Sequence, residues 1–300
     1  MKTAIVTGAT SGLGLECARA LLGSDPAWHV VLPVRDRSRG ADAVRQLCEP
    51  QRCTVMSMDL ASLASVRAFT HDVRAATLPP LHAIVCNAGV QVVSGTERTE
   101  DGFEMTFGVN HLGHFALVQG LLGQLTHPAR ILVVSSGTHD PSKRTGMPDP
   151  NYTSAADLAH PRAEPSADDG RRRYTTSKLC NMLFTYELDR RLGNGNQGVT
   201  VNAYDPGLMP GSGLARNYPP LQRLAWRYLL PALRVLPGVR STHTSGRYLA
   251  ALANDTRFDA ASGEYFDGLR PIRSSAFSYD RDKALDLWET SERLLTHAPR

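Results

Sequence analysis

Apolar positions fall along this chain in two alternating rhythms. Short runs rich in β-branched residues read as buried strands: "TAIVT" (3–7), "HVVLPV" (29–34), "TVMSM" (54–58), "HAIVC" (82–86), "RILVVS" (130–135) and "VTVNAY" (199–204). Between them, stretches of helical period occupy 13–22, 62–76, 103–122 and 175–192. The alternation predicts βαβ units, an α/β chain whose parallel sheet carries helices on both faces. A last strand near "GEYFDG" (263–268) and a helix "DKALDLWETSERLL" (282–295) complete a doubly wound sheet of about seven strands. Pro33 lies inside the second run, where its missing N–H predicts a bulge or an early strand end.

Two segments break the alternation, each after a strand. Residues 137–173 are rich in Pro, Asp, Gly and Ser, and residues 208–240 place Leu221, Leu224, Ala225 and Tyr228 at amphipathic-helix spacing. Open α/β sheets bind ligands at their strand ends. The two insertions therefore predict the walls of a substrate cleft, the second as a lid. No repeat or linker divides the chain, so residues 1–300 read as a single domain. Its 300 residues, 42% hydrophobic and 21% charged, leave ample core for that.

Charge and cysteine usage narrow the class of protein. A net charge of +4 without a long basic block argues against nucleic acid as a partner. Cys17, Cys48, Cys53, Cys86 and Cys180 lack metal-ligand spacing and read as free thiols in a reducing compartment. "MKTAIVTG" lacks the apolar stretch of a secretory signal, and no run is long enough for a membrane span. The expectation is a cytoplasmic protein with no integral membrane association.

Candidate chemistry begins at "TGATSGLG" (7–14), directly after the first strand and opening a helix. Gly8, Gly12 and Gly14 allow a tight turn and the approach of a pyrophosphate to the helix N-terminus, with Ser11 and Leu13 in the same loop. The fold implied is a Rossmann-type dinucleotide-binding sheet. After the second strand an NAD-selective site places a carboxylate on the ribose; here Arg35 follows Val34, and a guanidinium suits a 2′-phosphate instead. That favours NADP(H). Asp36 is expected to point outward or to pair with a neighbouring charge, and Arg37 and Arg39 to be solvated. Further along, Tyr174 and Lys178 stand four residues apart and share one face of a helix, an ammonium near a phenol.

With these residues assembled, the chain resembles the short-chain dehydrogenase/reductase family. "MDL" (58–60), "CNAGV" (86–90), "GVNHLGHF" (108–115), "VVSSGT" (133–138), "YTTSK" (174–178) and "DPG" (205–207) carry the likeness in the family's order. "DLASLASVRAF", "DGFEMTFGVNHLGHF", "SKLCNML" and "LWETSERL" are similar to the branch of retinol dehydrogenases and light-dependent protochlorophyllide reductases. The resemblance implies that Tyr174 is the general acid, that Lys178 lowers its pKa and binds the nicotinamide ribose, that Ser136 orients the substrate oxygen and that Asn110 holds a relay water. Alternation along the strand should send Ser135 and Ser136 to opposite faces. The resemblance also assigns Asp59 and Leu60 to the adenine end and Asn87, Ala88 and Gly89 to the adenosine pocket. Pro206 and Gly207 pass the nicotinamide. A threonine common further on is replaced by Gly211, with Ser212 as the substitute contact. His111 and His114 read as helix packing, since a third ligand is lacking, and no metal is expected. Arg171 to Arg173 read as a solvated run ending the loop, and Cys180 as a small buried helix residue.

Thirty-eight residues separate Ser136 from Tyr174, an insertion expected to wall one side of the pocket. Trp226, Tyr228, Leu229 and Leu230 give the lid an apolar character that suits a bulky hydrophobic substrate. The expectation is an NADPH-dependent oxidoreductase reducing a large hydrophobic ketone or aldehyde, or oxidising the matching alcohol. The alternatives are light-dependent double-bond reduction of protochlorophyllide type, whose pigment-linked cysteine is Leu208 here, and an NADP-binding sensor or scaffold without turnover. Monomer and homodimer both remain open.

Overall fold

The computed structural model describes residues 1–93, 95–161, 167–193, 195, 198–209 and 238–297. Eight strands form one sheet: β1 (Lys2–Val6), β2 (Trp28–Val34), β3 (Cys53–Ser57), β4 (Leu81–Cys86), β5 (Leu125–Val134), β6 (Val199–Asp205), β7 (Tyr265–Asp267) and β8 (Arg270–Ile272). Their order is β3-β2-β1-β4-β5-β6-β7-β8. All neighbours are parallel except β7 and β8, an antiparallel edge pair. The chain order reverses between β1 and β4, which opens a crevice at their C-terminal ends.

The central strands read as unbroken apolar runs because both faces are covered. Ile5, Val31, Ile84, Ile131 and Val201 belong to one core, built with α3 (Leu63–Ala75), α5 (Gly113–Leu121), α7 (Ala167–Arg191) and α9 (Arg281–His297). Their neighbours Ala4, Val6, Val30, Leu32, Ala83, Val85 and Leu132 belong to the other, built with α1 (Gly12–Ser24), α2 (Arg37–Leu47) and α8 (Thr242–Asn254). Period-two alternation thus assigns each strand residue to one of two helical layers. Shorter helices α4 (Met105–Phe107) and α6 (Ala155–Ala159) fill the first layer.

Several expectations are corrected. Pro33 neither bulges nor ends β2, which pairs in regular register with β3 through Val34. The Met58 N–H donates to the Val34 carbonyl at 2.9 Å, so Val34 faces β3 and Pro33, one residue earlier, faces β1. Pairing of β1 with β2 ends at Val31, so no partner carbonyl awaits the missing N–H. Helix α2 follows at once, and Asp36 caps it by accepting the N–H groups of Ser38 and Arg39. Asp36 is exposed, as expected, but it acts through this cap, and hydrogen bonds from Ser38 and Arg39 hold its carboxyl below the usual range.

Arg171 to Arg173 do not end a loop; they lie within α7, which starts earlier than the sequence suggests. A Cβ on Gly170 would meet the Val92 carbonyl at 2.4 Å, so the helix packs on backbone there. Arg173 is largely buried, donating to Gly95 O at 3.1 Å and Thr96 Oγ1 at 3.2 Å. The expected lid helix near 221–228 lies outside the described residues. Its boundary residues are tied together: the Leu208 N–H donates to Gly238 O and the Arg240 N–H to Leu208 O, both at 2.9 Å.

Candidate active site

The C-terminal ends of β1, β2, β4, β5 and β6 open into one cleft. At the end of β1, Gly8 (φ +68°) and Gly12 (φ +57°) adopt left-handed backbone that other residues resist. Ser11 is the N-cap of α1, yet its side chain makes no capping bond, so the first N–H groups of the helix face the cleft without an internal partner. A Cβ on Gly14 would sit 2.5 Å from both the Gly8 carbonyl oxygen and Asn87 Nδ2, which explains the third glycine. Leu13 closes the loop against the core. The result is a glycine loop at a helix N-terminus, where the sequence places an expected pyrophosphate.

Thr7, which the sequence reading passed over, organises the neighbouring turn. Its Oγ1 accepts the N–H groups of Asn87 at 2.8 Å and Ala88 at 2.9 Å. Asn87 Nδ2 in turn donates to Thr7 O at 2.7 Å. His114 Nε2 lies 2.9 Å from the same hydroxyl, and its Nδ1 faces the Asn110 carbonyl at 3.2 Å. A carbonyl only accepts, so Nδ1 carries the proton and Nε2 accepts from Thr7. Burial, with the Lys178 charge adding to it, pulls the ring down to about 4 and keeps it neutral. His111 is likewise packing, its Nε2 2.9 Å from Ser291 Oγ on α9.

Around the expected adenine end, Arg35, Asp36 and Arg39 line the cleft at the end of β2, while Arg37 turns to Ser57 Oγ at 3.1 Å. Asp59 and Leu60 also line it, with Asp59 Oδ1 accepting the Ala61 N–H at 2.9 Å. The cofactor residues expected on the loops after β4 and β6, Asn87, Ala88, Gly89, Pro206 and Gly207, all border the same space. Ser212 lies outside the described residues.

Of the four residues expected to carry the chemistry, Ser136, Tyr174 and Lys178 line this cleft and Asn110 does not. Tyr174 and Lys178 both line it, with Lys178 Nζ 5.5 Å from the centre of the Tyr174 ring. Lys178 is buried and donates to Val134 O at 3.1 Å; burial pulls its ammonium down to about 8, with Asp205 opposing. Ser136 faces the cleft and accepts the Thr138 N–H at 3.3 Å. Ser135 is buried and donates to Lys178 O at 2.8 Å. His139, also unforeseen, fixes this turn: Nδ1 donates to Ser136 O at 2.6 Å and Nε2 accepts the Ser275 N–H at 3.3 Å.

Asn110 sits behind them in a π-turn, Gly108–Leu112, whose wider backbone spacing swings it toward the loop after β4. Its side chain exchanges two hydrogen bonds with Val90, accepting from N at 2.8 Å and donating to O at 2.9 Å, and donates to Ser177 Oγ at 3.0 Å. The amide is therefore a clamp on the Val90 loop. Cys180 is fully buried, and burial pushes its thiol up. The described substrate side mixes Met105, Val109, Met147, Leu208 and Met209 with Gln91, Lys143, Arg144 and Arg171. Trp226, Tyr228, Leu229 and Leu230, on which the apolar expectation for the lid rests, lie outside the described residues.

The chain has known relatives. The short chain dehydrogenase family model matches residues 2–153. The WW domain-containing oxidoreductase of Gallus gallus is 38% identical over 98% of this chain and 68% of its own length. Protochlorophyllide reductase B of Oryza sativa subsp. japonica is 36% identical over 98% of this chain and 77% of its own. A solved but uncharacterised protein from Mycobacterium paratuberculosis superposes with a TM-score of 0.71 at 29% identity, covering 99% of this chain and 95% of that one. A blue fluorescent protein from a metagenomic library, crystallised with NADPH, shares the fold with a TM-score of 0.64 at 22% identity, over 89% and 97% of the two chains. By model match and by identity across nearly its whole length, this chain belongs to the short chain dehydrogenase family of oxidoreductases.

Proposed function

We propose that the protein is an NADPH-dependent carbonyl reductase acting on a bulky hydrophobic ketone or aldehyde, or on the matching alcohol in reverse. One observation carries the reading: Tyr174, Lys178 and Ser136 meet in one cleft beside a glycine cradle. A protein that only bound a dinucleotide would have no use for a phenol beside a buried ammonium.

Ser136 Oγ orients the substrate carbonyl, its oxygen accepting from the hydroxyl. Tyr174 gives its phenolic proton to that oxygen as the carbon is reduced. Lys178 sets a positive charge beside the phenol, which favours phenolate and brings its proton within reach at neutral pH. Asn110 holds the Val90 loop, and through Ser177 the helix that carries Tyr174, in fixed relation. Gly8, Ser11, Gly12, Leu13 and Gly14 would hold the pyrophosphate, and Asp59, Leu60, Asn87, Ala88 and Gly89 the adenosine. Pro206 and Gly207 would border the nicotinamide, and Lys178 the ribose hydroxyls. Arg35 would meet a 2′-phosphate. The dinucleotide supplies the hydride when bound.

The test is NADPH oxidation in the dark against a panel of bulky aromatic, terpenoid and polyketide-like ketones, with Tyr174→Phe beside the parent. Turnover that the variant loses is the expected result. NADPH binding without turnover of any carbonyl would overturn it. In that event, bleaching of a bound pigment under illumination would favour the second reading, to which the likeness to protochlorophyllide reductase B points. Leu208, 44% exposed, stands where that reading needs a cysteine. No chemistry under either condition would leave an NADP-binding sensor or scaffold.

A further inference from the structure

A carboxylate at the end of β6 lines the same cleft and meets the segments on either side of it. Asp205 is 6% exposed. Its Oδ1 accepts the Gly207 N–H at 2.9 Å, and its Oδ2 accepts the Tyr265 hydroxyl at 2.8 Å. The same Oδ2 lies 3.1 Å from where a Cβ on Gly137 would be, against the turn that presents Ser136. Lys143, farther along that turn, brings Nζ to 4.0 Å. One short, buried side chain therefore braces two segments: the turn after β5 that carries Ser136, and the Pro206–Gly207 loop after β6.

We propose that Asp205 is a positioning residue, setting the distance between the Ser136 turn and the Gly207 loop and supplying the negative charge that keeps the buried Lys178 an ammonium. Its kinetic consequences rest on the carbonyl-reductase reading; its effect on Lys178 does not. Lys178 is buried, 4% exposed where it borders the cleft, and its Nζ hydrogen bond goes to the neutral Val134 carbonyl. A buried ammonium in such surroundings loses its proton readily unless a negative charge stands near. Val134, whose carbonyl receives that bond, pairs in register with Tyr204, so Asp205 stands one residue further along the neighbouring strand, and its charge opposes the effect of burial on Lys178.

The other charged and titratable groups around the pair do not replace it. Tyr174 on α7 is the partner that Lys178 serves. His114 on α5 and His139 on the Ser136 turn are both held down by burial, His114 to about 4. Lys143 is a cation on the far side of Asp205 and competes for its charge, with Asp140 one turn away accepting from Ser142 Oγ at 2.7 Å. Burial and Asp205 itself push the Tyr265 hydroxyl up, so it remains a donor. Asp267 on β7 is paired with Arg240 at 2.6 Å.

The experiment separates charge from shape. Asp205→Asn keeps an oxygen for the Gly207 N–H and an amide opposite the Tyr265 oxygen, but removes the charge. In protein labelled with 13C-lysine, the Cε resonance of Lys178, assigned by its loss in Lys178→Arg, reports the titration without any substrate. The expected result is a midpoint about one pH unit lower in D205N than in the parent. An unchanged midpoint in folded D205N overturns the proposal. Tyr265→Phe serves if D205N does not fold: it removes one hydrogen bond and leaves the charge, so the Lys178 midpoint is expected to hold or rise, and a fall overturns the proposal. A parent without dark carbonyl turnover would sink the carbonyl-reductase reading while the lysine titration still decides this one.

Discussion

Mild acid should cost the protein stability through His114 well before most carboxylates are touched. The ring is held neutral down to about 4, against 6.5 for a histidine in the unfolded chain. Between those values the unfolded chain binds a proton that the native state refuses, so stability falls as pH drops through the window. From pH 7 to pH 5 the linkage relation gives a loss of about 2 kcal/mol from this ring alone. His111, held down to about 3 by burial and by His114, should add a similar loss. Asp25, Asp36 and Asp255 are held below the usual carboxylate range by hydrogen bonds and stay ionised in this window.

His114→Gln isolates the contribution. Its side-chain oxygen can accept the Thr7 hydroxyl proton, but it cannot titrate. The variant should be less stable than the parent at pH 7 by about 1–2 kcal/mol, from an imperfect hydrogen bond and altered packing. By pH 5 it should recover about 2 kcal/mol relative to the parent. Urea unfolding followed by tryptophan fluorescence at half-unit pH steps measures both curves. The other titrating groups are common to the two proteins, and His111, which loses the His114 contribution, is still held down by its own burial. Parallel curves would refute the assignment of a buried, neutral His114.

Three further outcomes follow from the site. Gly14→Ala places a methyl 2.5 Å from the Gly8 carbonyl oxygen and from Asn87 Nδ2. NADPH affinity, read from the enhancement of its fluorescence, should fall at least roughly tenfold. Arg35→Ala should raise the Kd for NADPH roughly tenfold or more and leave that for NADH nearly unchanged, since a charged hydrogen bond to the 2′-phosphate is lost; equal losses for both would remove Arg35 from phosphate recognition. Lys178 is pulled down to about 8, so the ammonium is present at neutral pH and lost as pH rises through that value. In the carbonyl-reductase assay kcat/KM should fall along an alkaline limb near 8, and a profile flat to about pH 9.5 would contradict the role given to the lysine.

What was legible in the sequence is what a single element presents by itself. The central strands stood out because both faces are covered, and the glycine loop and the Tyr174–Lys178 pair because their residues are close in the chain. Helix α2 escaped notice because "RSRGADAVRQL" buries only Gly40, Ala43 and Leu47, too little for a visible apolar stripe. Strand β8 has three residues, one a proline, and lies at an edge where that costs little. The ties that hold the candidate site escaped for a different reason: each forms only when distant segments meet. Thr7 reaches His114 across 107 positions, Asp205 reaches Tyr265 across 60, and His139 reaches Ser275 across 136. They nonetheless share a local mark. Thr7, Asn87 and Ser135 directly follow the last apolar residue of a buried strand, and Asp205 ends one. A polar side chain at that point has left both apolar layers behind, and an unpaired polar group there is costly, so it must bond to a loop or to a ligand. In a doubly wound sheet those are also the positions that face the cleft. The polar residue that ends an apolar run is therefore the place to look for positioning residues that no motif names.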